Sequence, residues 1–283
     1  MPELQAGADS PHLDDSQREQ AAEHSTPHPL VIHEIVREEG ETAMGRTFSA
    51  LMWSALAAGM SMGFSFLAQA IVESALPATT WRHLISSIGY SMGFVFVILG
   101  RQQLFTESTL TAVLPVLVRR DLKTIGRTLR LWSIVLFFNL MGTTIFAAML
   151  QFRGVFSPEI GTALANVAHA PFSGDFGVTV VRGVFAGWLI ALMVWLLPSA
   201  RAARLSTILL VTYTVGVSGL AHVIAGSAEA AYAVMIGVAN IGDYFVVFLF
   251  PTLIGNVIGG VAMVAIVNHA AIAPEIAGAQ RQK

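Results

Sequence analysis

The chain alternates long apolar runs with short polar ones, and the apolar runs are too long for strands or helices of a soluble core. A helix that crosses a bilayer needs about 20 mostly apolar residues. By that measure Thr47–Val72 is the first candidate, uncharged for 26 residues. Leu84–Val118 is the second, broken near its middle by Gly100-Arg-Gln-Gln103. Leu131–Phe152 is the third, uncharged for 22 residues, and Val178–Leu197 is the fourth, with Arg182 toward its start. Leu205–Ala239 is the fifth, interrupted around His222–Glu229, and Tyr244–Val267 is the sixth. The second and fifth runs are 35 residues each, too long for one span and too interrupted for one continuous helix. Each predicts a half-helix, a bent loop and a second half-helix.

Ahead of the first run, Leu30–Arg46 places Val31, Ile32, Ile35 and Val36 on one helical face and Glu34, Arg37, Glu38 and Glu41 on the other. This spacing predicts a short amphipathic helix along the membrane surface, in preference to a solvated linker. Met1 to Pro29 is rich in Ser, Glu, Gln, Asp, His and Pro and has no apolar core of a cleavable signal. It buries too little to offset its ordering entropy, which predicts a disordered tail. The expected organisation is therefore a disordered cytoplasmic tail over 1–29, a surface helix over 30–46, a six-helix transmembrane domain over 47–270 and a polar cytoplasmic tail over 271–283.

Composition agrees: 54% of residues are hydrophobic and 12% charged, about half the charge of a soluble domain. The distribution of cations sets an orientation. Arg119, Arg120, Lys123, Arg127 and Arg130 lie between runs two and three, Arg201 and Arg204 between four and five, and Arg281 and Lys283 after six. Arg37 and Arg46 precede run one. The opposite loops are poor in cations: Arg82 alone, then Arg153 with Asp175, then Asp243 without any Lys or Arg. Cytoplasmic loops carry the excess of Lys and Arg, so both termini are expected in the cytoplasm.

The halves of the chain echo each other. Gly59-x-x-x-Gly63 in run one has a counterpart in Gly183-x-x-x-Gly187 in run four, 124 residues on. Asn139-x-x-Gly142 in run three has one in Asn256-x-x-Gly259 in run six, 117 residues on. Three runs per copy is odd, so the second copy enters the membrane from the other side. Inverted repeats with broken helices at matching places mark a transport pathway at their interface. Packing alone accounts for the Gly-x-x-x-Gly pairs, and the asparagines are expected to bond between helices or to freed backbone groups. The breaks are different, because unpaired backbone at membrane depth must be buried in protein or line a wet cavity.

Polar residues in the runs sharpen this. His222 falls near the middle of run five, and an ionisable group there is a functional hypothesis by default. Either it is a neutral packing histidine bonded to a carbonyl, or it faces a permeating solute, exchanging a proton or donating a hydrogen bond. Thr106 and Ser108 offer hydroxyls at the first break, flanked by Arg101 and Glu107, which either brace the loop as an ion pair or contact the solute. Arg182 and Glu229 are read as mouth residues or as an outer structural pair, and His269 as interfacial. Other chemistry is not in sight. The sequence has no cysteine, which excludes disulfides and thiolate metal sites. No phosphate-binding glycine loop, dinucleotide fingerprint, or intramembrane His-x-x-x-His or Glu-x-x-His pair occurs, so no metal, cofactor or enzyme activity is expected. Ser218, four residues before His222, is only a weak sign of a nucleophile and base. The net charge of −2 by itself says nothing about nucleic acid, but no basic patch with aromatic interleaving appears, so no nucleic-acid partner is expected.

Three stretches carry a resemblance: Leu104-Phe105-Thr106, Ser218-Gly-Leu-Ala-His222 and Ile254-Gly-Asn-Val-Ile-Gly-Gly260. They resemble the formate/nitrite transporter family, in its divergent YfdC-like bacterial inner-membrane branch, over about residues 45–270. The resemblance implies an aquaporin-like fold of six segments, an inverted 3+3 repeat with segments two and five broken. It also implies a homopentamer in the bacterial inner membrane, and a pathway for small monovalent anions such as formate or nitrite, or for their conjugate weak acids. Thr106 would gate the inner mouth, His222 would be the central histidine, Leu104 and Phe105 would form the inner constriction, and Leu220 the outer one. The chain departs from the family pattern at Gln103 and Ala221, where glutamate is common, at Glu107, where a small residue is common, and at Gly226, where asparagine is. Arg182 is the candidate to replace the family's outer lysine. The other readings are a pore for water or a neutral small solute, and a non-transporting scaffold with a closed pathway.

Overall fold

A computed structural model describes residues 11–24, 27–152 and 154–281. Every regular element among them is helical. The elements are α1 (Asp15–His24), α2 (Pro29–Gly45), α3 (Phe48–Ala75), α4 (Arg82–Leu99), α5 (Phe105–Thr111), α6 (Val113–Arg119) and α7 (Leu122–Met149). They continue with α8 (Pro158–Val167), α9 (Phe176–Leu196), α10 (Arg204–Val217), α11 (Ala225–Met235), α12 (Ile241–Asp243), α13 (Phe250–Gly260) and α14 (Val267–Arg281). Five helices are long and apolar enough to cross a membrane: α3, α4, α7, α9 and the continuous run from Ile241 to Glu275; α10 is a shorter apolar helix.

The boundaries follow local chemistry. Thr47 caps α3 by accepting the Ala50 N–H at 3.3 Å, Asp121 caps α7 through the Thr124 N–H at 2.8 Å, and Asp175 caps α9 through Val178 at 2.8 Å. Side-chain oxygens here satisfy N–H groups that have no partner within the helix. Asn240 and Asp243 cap the start of the last run with reciprocal side-chain to backbone bonds, both 3.0 Å. The run then widens into a π-helical turn over Tyr244–Leu249. Pro251 follows, unable to donate to the ladder, which gives a reason for the wider turn ahead of it.

Two close helix contacts organise the bundle. A Cβ on Gly59 would fall on the carbonyl oxygen of Asn139, which locks α3 against α7. A Cβ on Gly187 would fall on the carbonyl oxygen of Asn256, which locks α9 against α13 in the same manner. The partner of Gly59 is therefore Gly187, one helical turn beyond the Gly183 that motif matching pairs with it. Outward, Trp53, Phe137 and Leu210 are 63%, 62% and 70% exposed. Apolar surface of that kind, repeated around the bundle, belongs against lipid.

Three expectations meet a different structure. Part of the segment expected to lack structure forms a helix, α1, while residues 1–10 lie outside the described residues. The apolar face of α2 is covered by the protein's own helices: Ile32 and Val36 pack in a cluster with Leu110, Leu114 and Val194. Finally, α8 lies between the third and fourth apolar runs, where a plain loop was expected. Helix α2 is also pinned by charge, along a chain running Glu34–Arg37–Glu41–Arg119. His33 in α2 and His269 in α14 complete the docking, with ring nitrogens 3.2 Å apart. His269 is thus buried and bonded to the protein's own α2.

Candidate functional site

Both long runs break as expected, and the backbone does the same thing at each. After α4 the chain turns at Arg101, whose φ is 50°, crosses residues 102–104 and re-enters a helix at Phe105. After α10 it turns at Gly219, with φ 60°, and re-enters at Ala225. The second break thus spans 218–224 and precedes Glu229, which is helical. Glycine adopts this left-handed backbone freely, whereas for an arginine it costs about 1–2 kcal/mol.

A break inside an apolar bundle frees amides and carbonyls that only protein can satisfy. Asn139 and Asn256, both fully buried, do this. Asn139 Oδ1 accepts the Phe105 N–H at 2.9 Å, and its Nδ2 donates to the carbonyls of Gln103 at 3.0 Å and Ala55 at 2.7 Å. Asn256 Oδ1 accepts the Val223 N–H at 2.9 Å, and its Nδ2 donates to Ala221 at 2.8 Å and Gly183 at 2.9 Å. Each asparagine bridges its own break and ties it to the helix beside it.

The two breaks meet at one hydrogen bond. Thr106 Oγ1 lies 2.8 Å from His222 Nε2, and both residues are buried. His222 Nδ1 accepts the Ala225 N–H at 3.1 Å. A nitrogen that accepts carries no hydrogen, so the ring proton sits on Nε2 and is donated to Thr106. The Thr106 hydroxyl hydrogen then has no acceptor among the described residues. Phe94 closes the other side, its ring centroid 4.9 Å from the imidazole at 75°. Sequence reasoning missed Phe94; as one of 17 phenylalanines on an apolar helix it carries no mark of its own.

Leu104 and Phe105 are buried in the core, and the Phe105 ring packs edge-on against Trp132 at 5.8 Å. Leu220 is partly buried against the same core. Above the first break opens a vestibule of about 690 Å³, roofed by α2. Its wall includes Gln103, Glu107, Arg101, Arg201 and Arg204, with Glu38 and Glu39 from α2. Arg101 and Glu107 are not paired with each other. The Arg101 guanidinium lies 3.6 Å from Glu39, and Glu107 has no hydrogen bond or ion pair among the described residues. The turn points Arg101 toward α2, whose position the sequence does not disclose. Gln103 accepts from Arg46 at 3.3 Å. Arg182 donates to Ser173 at 2.9 Å and makes no pair with Glu229, which is buried in α11.

Comparison with known proteins bears on all of this. Residues 30–270 match the profile of the formate/nitrite transporter family. The chain belongs to that family. The inner membrane protein YfdC of Escherichia coli (strain K12) is 38% identical over 243 residues, covering 86% of this chain and 78% of the relative. The formate channel BtFdhC of Bacillus thuringiensis is 24% identical over 242 residues, covering 83% and 92%. Among solved structures, a pentameric formate channel with formate bound shares the fold at a TM-score of 0.68 and 21% identity, covering 80% of this chain and 98% of that one. This family member is accordingly a multi-pass helical membrane protein of the channel and transporter class.

Proposed function

We propose that this protein is a transmembrane channel or transporter for small monovalent anions of the formate and nitrite class, or for their conjugate weak acids. The observation that carries the reading is the Thr106–His222 hydrogen bond, 2.8 Å long, at the one place where both helix breaks meet. The hydroxyl hydrogen of Thr106 is free there, and a carboxylate or nitrite oxygen would accept it and, by displacing the Thr106 oxygen, would accept the Nε2–H of His222 as well. With Nδ1 occupied by the Ala225 N–H, the ring in this arrangement donates a hydrogen bond. Proton donation would need the doubly protonated ring, with two N–H groups facing each other at Ala225. Leu104, Phe105 and Leu220 would narrow the path on either side.

The bonding at Asn139 and Asn256, the left-handed turns at Arg101 and Gly219, and the contacts of Gly59 and Gly187 support an inverted 3+3 repeat of six segments. The formate channels among the relatives, and the pentameric neighbour with formate bound, support the anion class and a homopentamer. The loop cations support cytoplasmic termini in a bacterial inner membrane. The test is uptake of labelled formate and nitrite by proteoliposomes across a pH gradient. Flux that is lost in His222→Phe supports the reading, and unchanged flux overturns the role of the histidine. Glu107, unpaired on the vestibule wall, favours a second reading, a neutral-solute pore; osmotic shrinking independent of any anion would select it.

A further inference from the structure

Arg101 stands where its backbone is least comfortable. The matching turn of the other break uses Gly219 for the same left-handed conformation, φ 60° against 50°. Packing does not repay the arginine, because its side chain is 74% exposed in the vestibule. Its only partner among the described residues is Glu39, itself 46% exposed, at 3.6 Å. A loose pair between two wet groups is weak and easily exchanged. Arg201 and Arg204 also line the vestibule and form no ion pair among the described residues, and the Nε of Arg204 is buried without a hydrogen-bond partner. With Arg46, which donates to Gln103 at 3.3 Å, four guanidinium groups and the carboxylates of Glu38, Glu39 and Glu107 line one space whose floor is the break leading to Thr106.

Resting on the anion reading above, we infer that this vestibule is the loading site of the pathway, where Arg101 leaves Glu39 and takes hold of the incoming anion. Glu39 is a tethered competitor, a carboxylate of the protein's own that occupies Arg101 while the site is empty. The guanidinium fork presents two parallel N–H donors and matches a planar anion with two oxygens, a carboxylate or nitrite, better than a spherical one. Arg201 and Arg204 offset the carboxylate of Glu107, which the anion must pass. The strain at Arg101 is retained for a head group that glycine lacks.

The experiment measures labelled formate flux in proteoliposomes as a function of its concentration on the vestibule side, with chloride as the spherical competitor. Arg101→Gly fits the turn without strain, so it is expected to assemble and melt at least as well as the parent. Its half-saturating formate concentration should rise about tenfold, the scale of losing one charge-assisted pair. Arg101→Lys keeps the charge and loses the fork, so it should lose affinity for formate without losing sensitivity to chloride. Glu39→Gln should lower the half-saturating concentration, and adding it to Arg101→Gly should change nothing further. Should Arg101→Gly fail to assemble, Arg101→Gln makes the same measurement. Unchanged half-saturation in the Arg101 variants, or a rise in Glu39→Gln, overturns the loading site while leaving the transport reading intact. A folded parent protein with no formate flux overturns both.

Discussion

Asn139 and Asn256 sit in different halves of the chain and make the same three bonds, each accepting an N–H at 2.9 Å (Phe105, Val223), donating to the carbonyl two residues earlier (Gln103, Ala221) and donating to a neighbouring helix. The geometry explains why asparagine is used. An amide has one accepting and one doubly donating end, and both are spent. Replacing Asn139 by Ala would strand the Phe105 N–H and the Gln103 carbonyl in an apolar bundle, at a cost on the order of 2–5 kcal/mol. Asn139→Asp should be worse, since it turns an oxygen toward two carbonyls. Thermal unfolding in detergent checks the order, and an alanine variant that melts like the parent would show that water or rearrangement satisfies these groups.

The Thr106 hydroxyl is predicted to act on the solute more than on the fold. Thr106→Val keeps the shape and removes the oxygen that accepts from His222. Loss of that site's hydrogen bonds should slow formate flux by about tenfold or more, with assembly intact. Paired flux and size-exclusion measurements separate the two effects.

Gly187 is predicted to be as intolerant as Gly59. A methyl group there would press on the Asn256 backbone, moving α13 and with it the bond to Val223. Overpacking of this kind costs about 1–3 kcal/mol. Gly187→Ala should lower the melting temperature, whereas Gly126→Ala, which meets nothing nearby, should not.

The docking of α2 should weaken in acid. His33 Nδ1 faces Glu34 at 3.0 Å and its Nε2 faces His269, with Arg37 and Trp195 nearby. Burial holds the His33 imidazole below its ordinary value of 6.5, against a smaller opposing pull from Glu34. The docked helix therefore binds a proton less readily than the free one, and linkage makes docking strongest above that value and weaker as pH falls below it. The protection factors of residues 29–45, exchange rates corrected for the intrinsic pH dependence of amide exchange, should fall between pH 7 and pH 5, and His33→Gln should flatten the dependence. Equal protection factors at both pH values would remove His33 from the docking interaction.

How much of this was legible varies by residue. The apolar runs, their two interruptions and the placement of Thr106 and His222 beside them were readable, because a bilayer imposes a length and forbids unpaired backbone. The expectation that Arg101 braces Glu107 was not met, since sequence proximity does not give direction; a left-handed turn sends the guanidinium to Glu39 on α2. The pairing of Gly59 with Gly183 slipped by one turn, because Gly-x-x-x-Gly reads the same from either glycine and only the close approach to an asparagine's backbone carbonyl distinguishes them.

The sequence by itself determined that the chain is a bundle of membrane helices, two of them broken, since hydropathy and helix period depend on neighbouring residues alone. It also carried the family likeness. Only the tertiary structure decided which groups satisfy the broken backbone, that Phe94 stands against His222, that α2 roofs a charged vestibule and that Thr106 and His222 lie in hydrogen-bond contact. Those facts are contacts between residues more than a hundred positions apart, and their directions depend on how helices cross, which no local pattern records.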